Sequence, residues 1–490
     1  MPTLTKSKYL TGLQCDKLLW VTLNDPGRIP PVDPGTQYVF NQGHEVCDLA
    51  KKLYPGGIDI PYNNFKDSIA RTQELMGQRK PLFEASILAG NLYVRVDILN
   101  PADGDAGAWD IIEVKSSSRV KDVNVLDVAF QRYCCEQMGL TIRRCYLGHI
   151  NTAYVRDGEV DPQALFTVED ISARVDAAIG EVPAAVEAIF RASKLKECPD
   201  VDIGLHCTDP YDCSLKDLCW AFLPDHSVFS LYWLGKEKKF DLLERGIASI
   251  CKIPEDYELS EKQRIQKACI EKDDVYLDKA GIKDFLATLK YPLYYLDFET
   301  FNPAVPLFDG MRPYQKIAFQ FSLHVVKREG AAAEHHSFLA DGQGDPRPGF
   351  LSALKAAIGT EGSVVAYNAG FEKGVLDELA VAFPQNAAWI DDVVRRVEDL
   401  LVPFKAFHYY HPGQNGSASL KRILPAVTGE GYEGMNISDG GAASLIYEEN
   451  IFGSEAPDEE KAKIRKDLED YCCLDTQAMV DIVGKLRELS

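Results

Sequence analysis

The feature that most constrains this chain is a pair of acids inside a hydrophobic strand. The run YPLYYLDFET, residues 291–300, is almost wholly apolar apart from Asp297 and Glu299. Strand side chains alternate between faces, so these two carboxylates project together on one side. Acids in an apolar β-run are costly unless they are paired or bound to a metal. The segment therefore predicts a strand whose two acids meet either pairing groups or a metal at one centre.

Two later segments extend that centre. SVVAYNAGFEKGVLDELA reads as a strand turning into a helix, with Asn368, Phe371 and Glu372 at the junction. KIRKDLEDYCCLDTQAMVDIVGKL reads as a long helix, on which Tyr471 and Asp475 are four apart and share a face. Asp-x-Glu, then Asn-x-x-Phe-acid, then Tyr-x3-Asp resembles the DEDD exonucleases of the Tyr subtype, an RNase H-like fold. The resemblance implies Asp297, Glu299, Glu372 and Asp475 as ligands of two Mg²⁺ or Mn²⁺ ions, with Tyr471 positioning the attacking water. The family usually has Asp where this chain has Glu372, and Asp399 in RRVEDLLVPF is a candidate substitute.

Between these motifs, GQNGSASLKRILP predicts a Gly/Ser loop capping a helix that starts near Ser419. Lys421 and Arg422 then lie in its first turn, against the helix dipole. A phosphate partner offsets that penalty; a solvated helix start is the alternative. Lys421 and Asn368 are accordingly weak candidates for substrate binding.

A second acid set lies upstream. LYVRVDILN and WDIIEVKSSS read as two strands joined by a turn at Ala102–Ala108, a hairpin carrying Asp97 on one arm and Glu113 and Lys115 on the other. Glu113 and Lys115, two apart, share a face. Such a set suits metal-assisted phosphodiester hydrolysis, with the lysine stabilising developing charge. Upstream is a helical segment with His44; downstream, LDVAFQRYCCEQMGL offers Gln131 and Tyr133. These residues resemble the RecB-like branch of the PD-(D/E)XK nucleases. The resemblance implies His44, Asp97 and Glu113 as metal ligands and Lys115 as the catalytic lysine. Gln131 and Tyr133 then support the site or touch DNA, and Glu84 fits only loosely.

Thirteen cysteines cannot form a complete disulfide framework. Most read as small core residues, but Cys207, Cys213 and Cys219 recur at six-residue steps and Cys15 stands far upstream. Zinc is one reading, although structural zinc sites usually show tighter pairs. The pattern resembles that of iron–sulfur RecB-like nucleases, which implies a [4Fe–4S] cluster on these four thiolates. His206 reads as a bystander.

At 490 residues the chain requires two or three domains. The expected architecture is α/β and multi-domain: a restriction-endonuclease-like PD-(D/E)XK domain at 1–225, a short helical module at 226–290, and an RNase H-like α/β domain at 291–490. The middle module contains FDLLERGIASICKIP, which reads either as a helix-hairpin-helix unit touching DNA backbone or as a plain connector. A net charge of −21 confines nucleic-acid binding to local Lys/Arg clusters and divalent cations. Met1–Trp20 lacks a signal-like apolar run and no stretch is long enough to span a membrane, so a cytoplasmic, membrane-free protein is expected. The absence of a Gly-x4-Gly-Lys-Ser/Thr loop argues against an ATP-driven motor.

The whole arrangement resembles a bacterial family of RecB-like nucleases fused to a DEDD-type domain. It implies a DNA exonuclease or end-processing enzyme in repair, recombination or defence, with single-stranded or free-ended DNA as partner. RNA 3′-end processing is the second reading; a nucleic-acid-binding scaffold with decayed sites is the third.

Overall fold

The computed structural model describes residues 3–62, 64–105, 107–437 and 439–490. It is a mixed α/β protein of two compact units. The first comprises Met1–Ala221 and Pro303–Tyr314, the second Phe222–Asn302 and Gln315–Ser490. The helical stretch at 226–290 thus belongs to the second unit, and Pro303–Tyr314, inside the expected third domain, belongs to the first. Among the described residues no helix is long and apolar enough to cross a membrane.

The first unit is built on a seven-stranded sheet. Its strands are β1 (Leu4–Thr5), β2 (Ile58–Asp59), β3 (Leu82–Ala89), β4 (Leu92–Pro101), β5 (Ala108–Lys115), β6 (Thr141–Ile150) and β7 (Phe166–Asp170). The order is β2-β3-β4-β5-β6-β7, with β1 also pairing β4. The expected hairpin is present as β4 and β5, antiparallel from Pro101↔Trp109 to Ile98↔Ile112; Ala106, in its turn, lies outside the described residues. Period-two alternation gives β5 two faces. Trp109 and Ile111 enter one apolar core, while Ile112 and Val114 enter another. The second core also takes Ala304 and Val305 from the Pro303–Tyr314 segment. That segment is fixed further by the Arg156 guanidinium, which donates to the carbonyls of Pro306 and Leu307 at 2.9 and 2.6 Å.

The second unit holds a five-stranded mixed sheet. After β8 (Tyr276–Leu277), its strands are β9 (Leu293–Phe301), β10 (Ile317–Val326), β11 (Glu334–Leu339), β12 (Ser363–Ala366) and β13 (Val397–Asp399). They are ordered β11-β10-β9-β12-β13. The first three are antiparallel, and β12 runs parallel to both β9 and β13. β14 (Tyr409–Tyr410) pairs β8 separately. The acid-bearing strand β9 is therefore central, and the helix Asp458–Leu489 packs against β9 and β10.

The middle segment departs from a helix-hairpin-helix. Helix Lys236–Glu244 is followed by a turn at Gly246, φ +77°, but only a single 3₁₀ turn, Ile250–Lys252, comes next. Pro254 explains the stop: it disfavours helical geometry at Ile253, whose ψ is 124°.

Candidate active sites and a cysteine cluster

In the first unit, the β4–β5 ladder ends at Ile98 and Ile112 and the strands part at Asp97. The Val114 N–H, freed from the ladder, donates instead to Asp97 Oδ2 at 2.8 Å. Across from Asp97, Glu84 takes a left-handed φ of 57°, which turns its carboxylate toward Arg95 at 3.3 Å. Glu84 is thus engaged elsewhere.

Glu113 is fully buried and makes three strong contacts. Lys115 Nζ donates to its Oε1 at 2.5 Å, Lys6 Nζ donates to the same oxygen at 2.8 Å, and Gln131 Nε2 donates to Oε2 at 2.7 Å. Gln131 also donates to Asp127, and Lys115 reaches Asp127 at 3.0 Å. The site is therefore three carboxylates and two ammonium groups, and a cleft of about 570 Å³ opens onto it, lined by His44, Asp97, Glu113 and Lys115 among others. Tyr133 packs on the apolar core instead of the cleft wall.

Charge balance sets the protonation pattern. Burial alone would raise the Glu113 pKa, but Lys115 and Lys6 outweigh it and hold this carboxyl well below its usual range. Asp97 is pushed up to about 7 by burial and by Glu113. Burial opposes charge on Lys115, yet Glu113, Asp127 and Asp97 keep it an ammonium. Two members escaped the sequence reading. Asp127 had a signal, since it lies four residues before Gln131 on one helix. Lys6 had none: the pairing of β1 with β4 starts its helix over the site.

In the second unit, Asp297 and Glu299 come from β9, Glu372 from helix Gly370–Ala382, and Asp475 from helix Asp458–Leu489. Glu299, Glu372 and Asp475 are buried, and Glu372 Oε2 has no hydrogen-bond partner among the described residues. Burial is the largest cause raising all four: it takes Glu299 to about 8 and Asp297 well above its ordinary range, each with added repulsion from neighbouring acids, and Asp475 to about 6 against the Tyr432 hydrogen bond, the Lys421 charge and the Tyr471 hydrogen bond. Glu372 also rises to about 8, through burial and then Asp399. An orphaned carboxylate oxygen in such a cluster fits bound divalent cations, because a cation would cancel both penalties.

Tyrosines surround Asp475. The Tyr432 hydroxyl donates to its Oδ1, and Tyr471 bonds the same carboxylate. The Lys421 ammonium lies 5.5 Å from the Tyr432 ring and 5.1 Å from the Tyr471 ring. Its charge favours the ionised forms of Glu299 and Asp475. The Cys472 thiol donates to Asp297 Oδ2 at 3.4 Å. Sequence spacing showed neither Tyr432 nor the role of Cys472. Asp399 has a scaffold function, its Oδ1 accepting from the Asn368 and Leu401 N–H groups at 2.9 and 3.0 Å. Asn368, with φ 65°, lines a cleft of about 530 Å³ together with Tyr232, Trp233, Tyr367 and Lys405. Trp233 is 83% exposed there.

Helix Leu420–Thr428 begins after Ser419, as expected, and Arg422 is exposed on it. Cys15, Cys207, Cys213 and Cys219 gather in one small cluster with Leu18, Val21 and Leu215, and Cys198 stands beside them. All are free thiols. Cys15 sits at the start of helix Asp16–Asn24, where the Leu18 and Lys17 N–H groups donate to its sulfur; the Leu215 N–H does the same for Cys213. Burial raises the thiol pKa of Cys15 and Cys213, with these amide donors opposing it; four gathered cysteines are a donor set that fits a cluster or metal.

A family model described as a domain of unknown function (DUF2779) matches residues 294–419. That span includes Asp297, Glu299 and Glu372 and ends before Asp475. No curated protein matches the chain.

Proposed function

We propose that the chain is a metal-dependent nuclease with two phosphodiester-hydrolysing centres, acting on DNA with single-stranded or free ends. In this reading the second unit is an RNase H-like DEDD-type exonuclease domain and the first a RecB-like PD-(D/E)XK domain. The observation that carries it is the convergence of four carboxylates from three distant segments, with Glu372 Oε2 left without a partner. Divalent Mg²⁺ or Mn²⁺ held by Asp297, Glu299, Glu372 and Asp475, and by His44, Asp97 and Glu113 in the first unit, supplies charge neutralisation and an activated water.

The chain's own groups divide the remaining work. Burial, with Asp475 next in weight, drives the Tyr471 pKa upward, so its hydroxyl stays protonated and can orient a water beside Asp475. In the first unit Lys115 remains an ammonium and can stabilise developing negative charge. The cleft at Asn368 offers aromatic faces and Lys405, a combination suited to a single strand. A [4Fe–4S] cluster on Cys15, Cys207, Cys213 and Cys219 ties the first helices to the end of the first unit and adds folding energy rather than chemistry.

The test is cleavage of 5′- and 3′-labelled single-stranded DNA and RNA by anaerobically purified protein with Mn²⁺ or Mg²⁺, comparing Lys115→Ala with Asp297→Asn. Loss of one activity in each variant is expected. A parent protein that cuts neither polymer under any of these conditions would overturn the proposal.

A further inference from the structure

A further set of ligand-type side chains lies in the second unit, outside the four-acid centre. His324 on β10, His335 on β11 and Cys473 on the helix Asp458–Leu489 each bring one donor atom to within 4.8 Å of the others. The two histidines are direct partners in the β10–β11 ladder, and their rings lie 4.6 Å apart at 31°. His324 is buried, Cys473 half-buried and His335 exposed, so the cluster opens to solvent on one side.

Both rings are already oriented. His324 Nδ1 is 2.8 Å from Thr476 Oγ1, His335 Nε2 is 2.9 Å from Ser322 Oγ, and the two hydroxyls are 2.7 Å apart. One nitrogen of each imidazole is thus tied to a continuous hydroxyl pair. Metal-binding histidines are held in this way, by a hydrogen bond from the second ring nitrogen. Burial, with help from His335 and His336, pushes the His324 pKa down to about 4, so the ring is neutral and ligand-competent at neutral pH. Burial and His336 lower the His335 pKa as well, opposed by Glu469, which stands one turn before Cys473 on the same helix.

We infer that His324, His335 and Cys473 form a zinc site, with Glu469, one turn before Cys473, a candidate for the fourth position. Imidazole and thiolate donors suit zinc, whereas the all-oxygen four-acid centre suits Mg²⁺ or Mn²⁺, so donor chemistry sorts the two metals. The site joins the β10–β11 hairpin to the stretch of helix that carries Tyr471 and Asp475. Cys472 beside it already contacts Asp297, and Thr476 follows Asp475. Zinc would therefore fix the segment that completes the acid centre. The inference does not require nuclease activity.

The experiment measures zinc and iron by elemental analysis in the parent chain and in His335→Ala, Cys473→Ser, Asp297→Asn and Cys213→Ser. Metal-free samples are then titrated with Co²⁺ to seek a thiolate-to-cobalt charge-transfer band. The parent is expected to hold one more zinc than His335→Ala or Cys473→Ser, at unchanged iron. The cobalt band should lose one cobalt's share of its intensity in Cys473→Ser and in His335→Ala and keep its parental intensity in Asp297→Asn, the four-cysteine cluster giving the remainder. His335 is exposed, so its variant decides the matter if Cys473→Ser fails to fold. A parent with no zinc above these variants, or a cobalt band of parental intensity in both, overturns the site.

Discussion

The Lys6 ammonium lies 2.8 Å from Oε1 of Glu113, joining the first helix of the chain to a fully buried carboxylate. Lys115 reaches the same oxygen, so Lys6 is a second neutralising charge on one acid. Removing one partner of a buried pair is strongly destabilising, because the other charge stays in place. Lys6 keeps about a quarter of its side chain exposed and Lys115 remains, so Lys6→Ala should cost roughly 2–3 kcal/mol, less than a fully buried pair. It should also tighten Mn²⁺ binding by making the site more negative. Thermal melts with and without Mn²⁺ check both; an unchanged melting temperature in metal-free buffer would sink the argument.

The four-acid centre imposes a sign on pH dependence. Glu299 and Glu372 rise from an ordinary 4.5 to about 8, so the folded state holds more protons than the unfolded one between those values. Stability from these groups is complete below about pH 4.5 and is lost as pH climbs through about 8. The metal-free melting temperature should therefore fall across that window, and added Mn²⁺ should raise it more at the alkaline end. Asp97, pushed up to about 7, contributes in the same direction, so Glu372→Gln assigns the effect by flattening the slope. A metal-free melting temperature that climbs with pH over this range contradicts the reading.

How much of this was legible in the sequence depended on distance along the chain. Period-two spacing put Glu113 beside Lys115 and Asp297 beside Glu299, and the Ala102–Ala108 turn marked the hairpin. Tyr471 and Asp475 followed from helical spacing. Lys6 and Tyr432 were invisible because tertiary packing, not local pattern, brings them to their acids. Tyr133 was misleading in the opposite way. It lies two residues from Gln131, roughly 200° around a helix, so it turns to the apolar core while Gln131 turns to Glu113. The Pro303–Tyr314 excursion into the first unit left no signal in a segment read as one domain.

The cysteine cluster supports a prediction about folding. The four thiols stand between the segment around Cys207–Cys219 and helix Asp16–Asn24, in a small cluster whose apolar members include Leu18, Val21, Trp20, Leu215 and Trp220. Cys213→Ser should lose most of the iron and the associated visible absorption. It should also open this segment to limited proteolysis. If the parent contains no iron, the [4Fe–4S] reading fails; if the variant keeps its iron, Cys213 is not a ligand.

Trp233 is the most solvent-exposed large apolar side chain described, at 83%, and it adopts φ 51°, a left-handed value that is unusual for a bulky residue. Strain of this kind persists where the surroundings hold it for a purpose. Stacking one base on an aromatic ring contributes about 1–3 kcal/mol. Trp233→Ala should thus weaken single-stranded DNA binding by roughly 5- to 140-fold while leaving the melting temperature nearly unchanged. Fluorescence anisotropy with a labelled oligonucleotide measures this, and equal affinity in both proteins would remove Trp233 from the strand path.

Tyr471 and Tyr432 both bond Asp475 but should fail differently. Tyr471 shares a helical face with Asp475 and is buried beside Glu299 and Asp297; in the proposed mechanism its hydroxyl orients the attacking water. Tyr432 comes from the loop before helix Gly440–Asn450 and holds the carboxylate itself. Losing a positioned proton-bearing group typically costs a factor of about 10² or more in rate. Tyr471→Phe should therefore lower kcat by about that factor with little change in Mn²⁺ affinity. Tyr432→Phe should instead weaken Mn²⁺ binding, because Asp475 is no longer oriented, and its rate should recover at saturating metal. Metal titrations of cleavage rate separate the two; a Tyr471→Phe defect rescued by excess Mn²⁺ would assign that tyrosine to ligand orientation rather than to water.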